Sequence, residues 1–545
     1  MKKIAKIFSI VLGLSVIASC DLDLLDNPNA VTTKNLDVNY LLNSIELTFA
    51  GSFNAFSGVG AGLSRTLHYG GAVNYDNAVS PNTFSGTWNN VYANTLVDIK
   101  ALIPVAEAAG LFVHSGIAKT LRAYTLLTMV DFLGNVPFSE ALNPENFNPK
   151  ADDGKTIYTA ALADLDAAIA DFAKTSKGGA TSDLIYGGNA DSWTRAANSI
   201  KLKALLNLKL TDKAGATSGI NSLVSGNKLL STTAQNFTFK YGSNLVNPDT
   251  RHPRYGYSNT GIGDYMSNSY MGELYSSKSK PDPRIRFYFY RQTVVNTRDV
   301  NELRCVNNNK PSHYGANDVF CLPTMVGYWG RDHLSNEGIP PDGLRRTGWG
   351  VYPAGGLFDD DAAKPVVLGA GAGGAGIAPF LMRSYVDFML AEAALTLGTT
   401  GDAKALLKSA IEKSMADVRA MALGTSEASR INAFESAKGI VWTTEVTNYV
   451  NEVLAAYDAA ANNDAKLAII AKEYWLALFG SGVESYNLYR RTGLPAQQPA
   501  LDPNPGAFAS SVYYPTNYIA QNKNAKQKAS PAVKVFWDTN TFTLK

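Results

Sequence analysis

The strongest constraint on the fold is the arrangement of helical periodicity in two blocks. They flank about 150 residues in which that periodicity is lost. The first block runs roughly from Leu36 to Ser225, and the second begins near Pro379 and continues to the C-terminus at Lys545. Within the first, Trp88 to Ala109 and Gly116 to Leu133 read as one helical hairpin, and Thr156 to Lys174 with Ser192 to Leu210 as another. In the second, the pattern predicts helices over Phe380 to Leu397, Asp402 to Ala422, Val446 to Ala459 and Asp464 to Phe479, with Gly398 and Gly480 placed as C-caps. Small residues at the crossings, as in Leu390-Ala391-Glu392-Ala393-Ala394, suit pairs that bury one face on the next pair, as tetratricopeptide repeats do. A regular 34-residue spacing is absent, so the expectation is a mainly α chain of about four degenerate helix pairs wrapped around a middle region. That middle, about 226 to 378, is rich in Gly, Pro, Asn and aromatics. Its persuasive strands are Phe237 to Tyr241 and Arg286 to Arg291, and loops of this length are seldom idle.

Residues 1–19 read as a signal peptide. Lys2, Lys3 and Lys6 precede an apolar run from Ile7 to Ile17 that is too short to span a bilayer. Ile17-Ala18-Ser19-Cys20 resembles a bacterial lipobox, which makes Cys20 the expected lipidation site and residues 20–35 a lipidated tether. Multiple acyl chains would then anchor a domain spanning 20–545. The remaining cysteines, Cys305 and Cys321, are available to each other in an oxidising compartment. Closing a loop of roughly 15 residues would contribute about 3 kcal/mol, and the alternative is two free, buried thiols.

Composition excludes several function classes. The chain is 46% apolar and 18% charged, which rules out disorder and coiled coil. Without the three leader lysines it holds 46 basic against 47 acidic residues, which leaves no electrostatic footprint for nucleic acid. The five histidines, His68, His114, His252, His313 and His333, show no metal-ligand spacing, and there is no GxSxG elbow. Gly369 to Gly374 satisfies GxGxxG after Val366-Val367-Leu368, but the acidic residue about 20 positions on is Glu392, inside a helix with no second strand. A flexible connector is the better reading. Arg331-Asp332-His333 reads as a hydrogen-bonded loop staple, and Asp359-Asp360-Asp361 as a solvated acidic turn without the ligand alternation of a calcium loop. No cofactor or metal is expected, and structural calcium has no motif behind it.

A series of short segments, in order, carries a resemblance. They include Asp23-Leu24-Leu25-Asp26-Asn27-Pro28-Asn29, Asp131 to Glu140, Trp193 to Leu210 with Asn198, Lys201 and Leu202, and Asp282-Pro283-Arg284. Then come Gly330-Arg331-Asp332-His333 leading to Gly338 to Gly343, Trp349 to Gly356, and Ala391-Glu392-Ala393. Trp475 to Phe479, Glu484, Tyr489 to Gly493 with Pro495, Tyr513-Tyr514-Pro515 and Val535 to Asp538 complete the series. Together they resemble the SusD/RagB family of outer-membrane lipoproteins along essentially the whole mature chain. The resemblance implies a SusD-like fold of four tetratricopeptide-like units supporting irregular loops, with no catalysis. It also implies a surface-exposed binding protein that passes oligomeric nutrients, usually glycans and sometimes peptides, to a SusC-like TonB-dependent outer-membrane transporter. A surface lipoprotein hydrolase is the competing reading.

The family's ligand loops vary, so ligand residues are chosen here by chemistry. Aromatic faces cover sugar C–H surfaces, and Asn, Asp or Arg bond the hydroxyls. Two clusters offer this. Tyr75, Asp76 and Asn77, near Tyr69, form one. Tyr328, Trp329 and Arg331, extending to Arg345, Trp349 and Tyr352, form the other, with packing under the loops as the competing role for Trp349 and Tyr352.

Overall fold

The computed structural model describes residues 37–69, 74–321, 327–337 and 340–545; Cys20 and the expected leader and tether (1–35) lie outside them. Helix starts follow local chemistry. Asp37, Asp153, Asn189, Asp212, Asp402 and Asn462 each accept a backbone N–H of the first turn, fixing the beginnings of α1 (Val38–Leu63), α4 (Gly154–Phe172), α5 (Ala190–Leu208), α6 (Lys213–Gly226), α9 (Ala403–Leu423) and α12 (Asn463–Ala477). The remaining long helices are α2 (Leu96–Ala109), α3 (Phe112–Leu133), α7 (Asn268–Ser276), α8 (Arg383–Leu397), α10 (Ala428–Lys438), α11 (Trp442–Ala459) and α13 (Gly482–Thr492). Gly398 closes α8 at φ 69°, in the left-handed conformation that the sequence position requires.

The expected hairpins form as α2/α3, α4/α5, α8/α9 and α11/α12. Helix α3, packed against α1, α2, α4 and α5, is buried along nearly its whole length. One contiguous hydrophobic core runs from Leu42 in α1 through both helical blocks to Trp537 near the C-terminus. Helix α13 crosses α1 where two glycines meet. A Cβ on Gly482 would lie 1.9 Å from the Ser57 carbonyl oxygen, and one on Gly60 would lie 2.1 Å from the Gly482 carbonyl oxygen. The middle region contributes little sheet: Phe237–Lys240 pairs antiparallel with Ile377–Leu381, and Phe289–Tyr290 with Gly348–Trp349.

Three local expectations are corrected. Arg286 to Arg291 is not one strand, because Ile285–Tyr288 makes a helical turn before Phe289–Tyr290 extends. The glycine run is not a flexible connector. Gly371 packs so closely that a Cβ would meet the Gly356 carbonyl oxygen at 2.3 Å, and Gly374 donates its N–H to Gly355 at 3.0 Å. Nor is Asp359-Asp360-Asp361 a solvated turn. Asp359 is fully buried and accepts from Arg291 at 2.6 Å, while Asp361 accepts from Arg286 at 2.8 Å. Opposite charges from distant loops, invisible to a local window, draw the turn inward.

A buried polar network crosses the core. Asp131 of α3 accepts from Tyr158, from Trp537 Nε1 at 3.0 Å, from Asn487 Nδ2 at 2.7 Å and from Lys203 Nζ at 3.1 Å. Arg490 donates to the Asp131 carbonyl at 2.7 Å and to the Ser510 carbonyl at 2.8 Å. Beside this, Glu392 of α8 takes both arms of Arg491 at 2.7 and 2.8 Å and Lys209 Nζ at 2.7 Å. Burial alone would raise the Glu392 carboxyl, but the Arg491 and Lys209 cations outweigh it and hold the pKa at about 2.

Because this pKa falls from the ordinary carboxyl value of 4.5 to about 2, the carboxylate contributes stability above pH 4.5 that is lost as pH falls through 2. Glu392→Gln is therefore expected to lower stability at pH 7 by about 3 kcal/mol and to flatten the acid limb between those values. Urea unfolding across a pH series checks this. An acid limb identical to that of the parent would show that Glu392 does not couple to folding.

Candidate functional site

The two predicted ligand clusters meet, but mostly below the surface. Tyr75 opens a short helix, Tyr75–Ala78, whose N-cap Asn74 accepts from Asn77 N–H at 2.9 Å. The Tyr75 ring is 1% exposed and packs on Phe508; Arg65 donates to its hydroxyl at 3.1 Å, and that hydroxyl lies 3.1 Å from His333 Nε2. Asp76 and Asn77 stay exposed. Tyr328 is buried beneath the Arg291 guanidinium, and Tyr352 stands against Tyr288. Trp329 is 2% exposed, donates to Asp342 at 3.1 Å and shares a small hydrophobic cluster with Cys305 and Cys321. Arg331 stacks 3.8 Å over the Tyr265 ring and donates to its hydroxyl at 2.9 Å. Arg345, half-buried, pairs with Glu302 at 2.8 Å.

The exposure expected of Tyr75, Tyr328 and Trp329 is thus corrected, while Tyr352 takes the packing role weighed for it. These rings are more fully satisfied by one another than by water, so the loops close over them. Trp349 is also buried, donating to Asp264 at 3.0 Å, but it borders a cavity of about 430 Å³ with Asn54 and Arg254.

Asp332 accepts from Cys321 N–H at 2.9 Å and from Asn268 at 3.3 Å, so the Arg331-Asp332-His333 triplet is the staple that holds these loops together. Burial pushes the Asp332 carboxyl up to about 6 and holds the His333 imidazole well below its ordinary value, with Arg65 and His68 adding to the latter. A neutral His333 bonded to Tyr75 is a structural strut. The structure joins Cys305 to Cys321. Among the described residues no group of three His, Cys, Asp or Glu side chains could hold a metal ion.

Next to this platform lies a cleft of about 680 Å³, between α7, α12, the 317–319 loop and the 494–498 segment. Gln498 holds the last two together, accepting from Val319 N–H at 2.9 Å and donating to its carbonyl at 2.7 Å. Trp475, its indole N–H engaged by the Ser64 carbonyl at 2.8 Å, contributes to the wall. The rest of the lining mixes hydroxyls, carboxamides, the Lys472–Glu273 ion pair and Asp318 with apolar side chains such as Leu494 and Pro495. Gln497 is the informative member. It is buried, and its Nε2 has no hydrogen-bond partner among the described residues. A donor left so costs about 1–3 kcal/mol.

Comparison with known proteins decides the family. A family profile described as "Starch-binding associating with outer membrane" matches residues 31–318, more than half of the chain, and a second, "Susd and RagB outer membrane lipoprotein", matches 378–541. The chain belongs to the SusD-like family. No curated protein matches it. Among solved structures, a SusD/RagB family protein from Bacteroides thetaiotaomicron is similar at 21% identity and TM-score 0.67, covering 93% of this chain and 100% of the other. A chitin-binding protein is similar at 19% identity and TM-score 0.68, with coverages of 92% and 100%. A chitin-binding SusD homolog from Flavobacterium johnsoniae is similar at 18% and 0.64, with coverages of 92% and 99%. At these identities the likeness establishes the SusD-like fold. No helix among the described residues is long and apolar enough to cross a membrane.

Sequence reasoning missed the cleft residues of this SusD-like chain. Asn317, Lys472 and Gln497 belong to no motif, and the available signal was a polar Gln497-Gln498 pair just after Pro495. The disulfide borders the same platform. With a sequence separation of 16, its removal in a Cys305→Ser/Cys321→Ser double variant is expected to lower unfolding stability by about 3 kcal/mol. Calorimetric unfolding with and without reductant checks this; equal stability of variant and oxidised parent would refute it.

Proposed function

We propose that this SusD-like protein captures oligomeric nutrients, glycans foremost, at the cell surface and delivers them to a SusC-like TonB-dependent transporter. The observation that carries the reading is the cleft itself, in which Ser269, Ser276, Asn317 and Gln497, whose Nε2 has no partner among the described residues, stand beside Trp475 and apolar side chains, with the Lys472 charge paired to Glu273. Hydroxyls and carboxamides beside an aromatic ring suit a ligand with many hydroxyls. The family's description as starch-binding and outer-membrane-associated supports it, as do the two chitin-binding structural relatives. The protein acts by binding, without turnover, cofactor or metal.

In this reading residues 20–545 form one domain, preceded by a signal peptide over 1–19 and held to the outer membrane by lipid on Cys20. Asp76, Asn77 and half-buried Arg345 supply exposed polar contacts, and Trp349 meets ligand only along the edge that borders its own cavity. Tyr75, Tyr328, Trp329, Arg331 and Tyr352 fix the loops on which ligand rests.

Calorimetric titration against neutral oligosaccharides and peptides tests the proposal. Saturable oligosaccharide binding without breakdown is expected. Gln497→Leu should weaken it about tenfold while leaving the unliganded protein as stable as the parent or more so, since the orphaned donor is gone. Release of cleaved product would make it a hydrolase, and saturation by peptides alone would make peptide the cargo.

A further inference from the structure

A separate cavity, of about 230 Å³, lies between Trp88–Tyr92, the loop from Pro137 to Pro149 and the short helix Thr516–Gln521. It shares no lining residue with the cleft. Its walls combine two chemistries. On the aromatic side, Trp88 and Tyr518 stand 4.4 Å apart between ring centroids at 32°, Trp88 and Tyr92 4.6 Å apart, and the Phe147 ring is 81% exposed. Most loop aromatics among the described residues turn inward, so a phenylalanine this bare beside a rigid ring pair is a departure.

On the polar side stand the carboxamides of Asn89, Asn517, Gln521 and Asn522, and no lining side chain is charged. Asn522 is committed to the Pro149 carbonyl at 2.8 Å, and Asn517 donates to Asn89 at 2.8 Å. The Gln521 side chain makes no hydrogen bond among the described residues and is exposed at the rim. The backbone here is also irregular. Trp88 lies in the helical segment Ser85–Asn89 and Tyr92 in the π-helical turn Asn90–Thr95, which Asn90 ties to the Thr48 carbonyl at 2.7 Å and Ser52 Oγ at 2.8 Å. Wide turns of this kind recur at functional sites because they re-aim side chains that a regular helix would spread around its axis.

Aromatic faces with carboxamides and no charge fit a molecule with C–H faces and neutral hydroxyls. The volume, below that of an ordinary drug-sized pocket, admits one ring and not an oligomer. We propose that this cavity is a second sugar site, which takes a single uncharged pyranose residue of a glycan. The ring lies against Phe147 and the Trp88–Tyr518 pair, and its hydroxyls bond Asn89, Asn517 and Gln521. Its ligand class rests on the reading of the protein as a glycan binder; its place and chemistry do not.

The test places 4-fluorophenylalanine at position 147 of the full-length chain, held in a detergent without a sugar headgroup, and titrates it with malto-, cello-, manno-, xylo- and chito-hexaose. The ¹⁹F resonance is expected to shift saturably with at least one of them, to do so equally in Gln497→Leu, and to need at least threefold more glycan in Gln521→Ala. A resonance that stays fixed while calorimetry records glycan binding to the cleft would overturn the second site and leave the glycan reading standing. A shift that vanishes in Gln497→Leu would also overturn it, because the cavity would then only report on the cleft. No response in either measurement would remove both readings.

Discussion

The Asp131 carboxylate is the interaction on which the architecture depends. Four donors converge on it from α4, α5, α13 and the C-terminal segment, so a single buried charge fixes how four pieces of chain approach α3. A buried carboxylate is tolerable only when its lone pairs are filled with good geometry. Hydrophobic packing would let helices slide or rotate at small cost; this network allows one arrangement. Arg490 reinforces it from the same helix that carries Asn487, and the neighbouring Glu392–Arg491–Lys209 group does the same between α8, α13 and α5.

Once the helices are fixed, the middle region has a rigid surface to settle on, and its own side chains complete the settling. Charge pairs such as Arg291–Asp359, stacked cations such as Arg331 on Tyr265, and the Tyr75–His333 contact turn a long segment with little regular structure into packed loops. The consequence for function is a division of labour. Aromatics inside the loops hold shape, while the cleft keeps a partly polar wall of hydroxyls and carboxamides.

Much of the helical scaffold could be read locally. The expected hairpins appear within a few residues of their observed ends, because capping side chains such as Asn189 and Asp402 act on the turn that follows them. The site was far less legible. Tyr75, Trp329 and Asp76 lie in similarly polar, glycine-rich surroundings, yet two are buried and one is exposed, and the difference comes from Phe508 and His333, hundreds of residues from Tyr75, and from Asp342, 13 residues beyond Trp329. Asp359 looked solvated for the same reason: its partner Arg291 comes from another loop.

By itself the sequence determined the helices, their pairing into hairpins and the family, since periodicity, caps and an ordered series of motifs all act or repeat within short windows. Tertiary structure decided which aromatics face inward, which carboxylates are paired and where a cleft opens. Those outcomes depend on desolvation and on partners hundreds of residues apart, and the energy of burying a ring or a charge is set by what surrounds it.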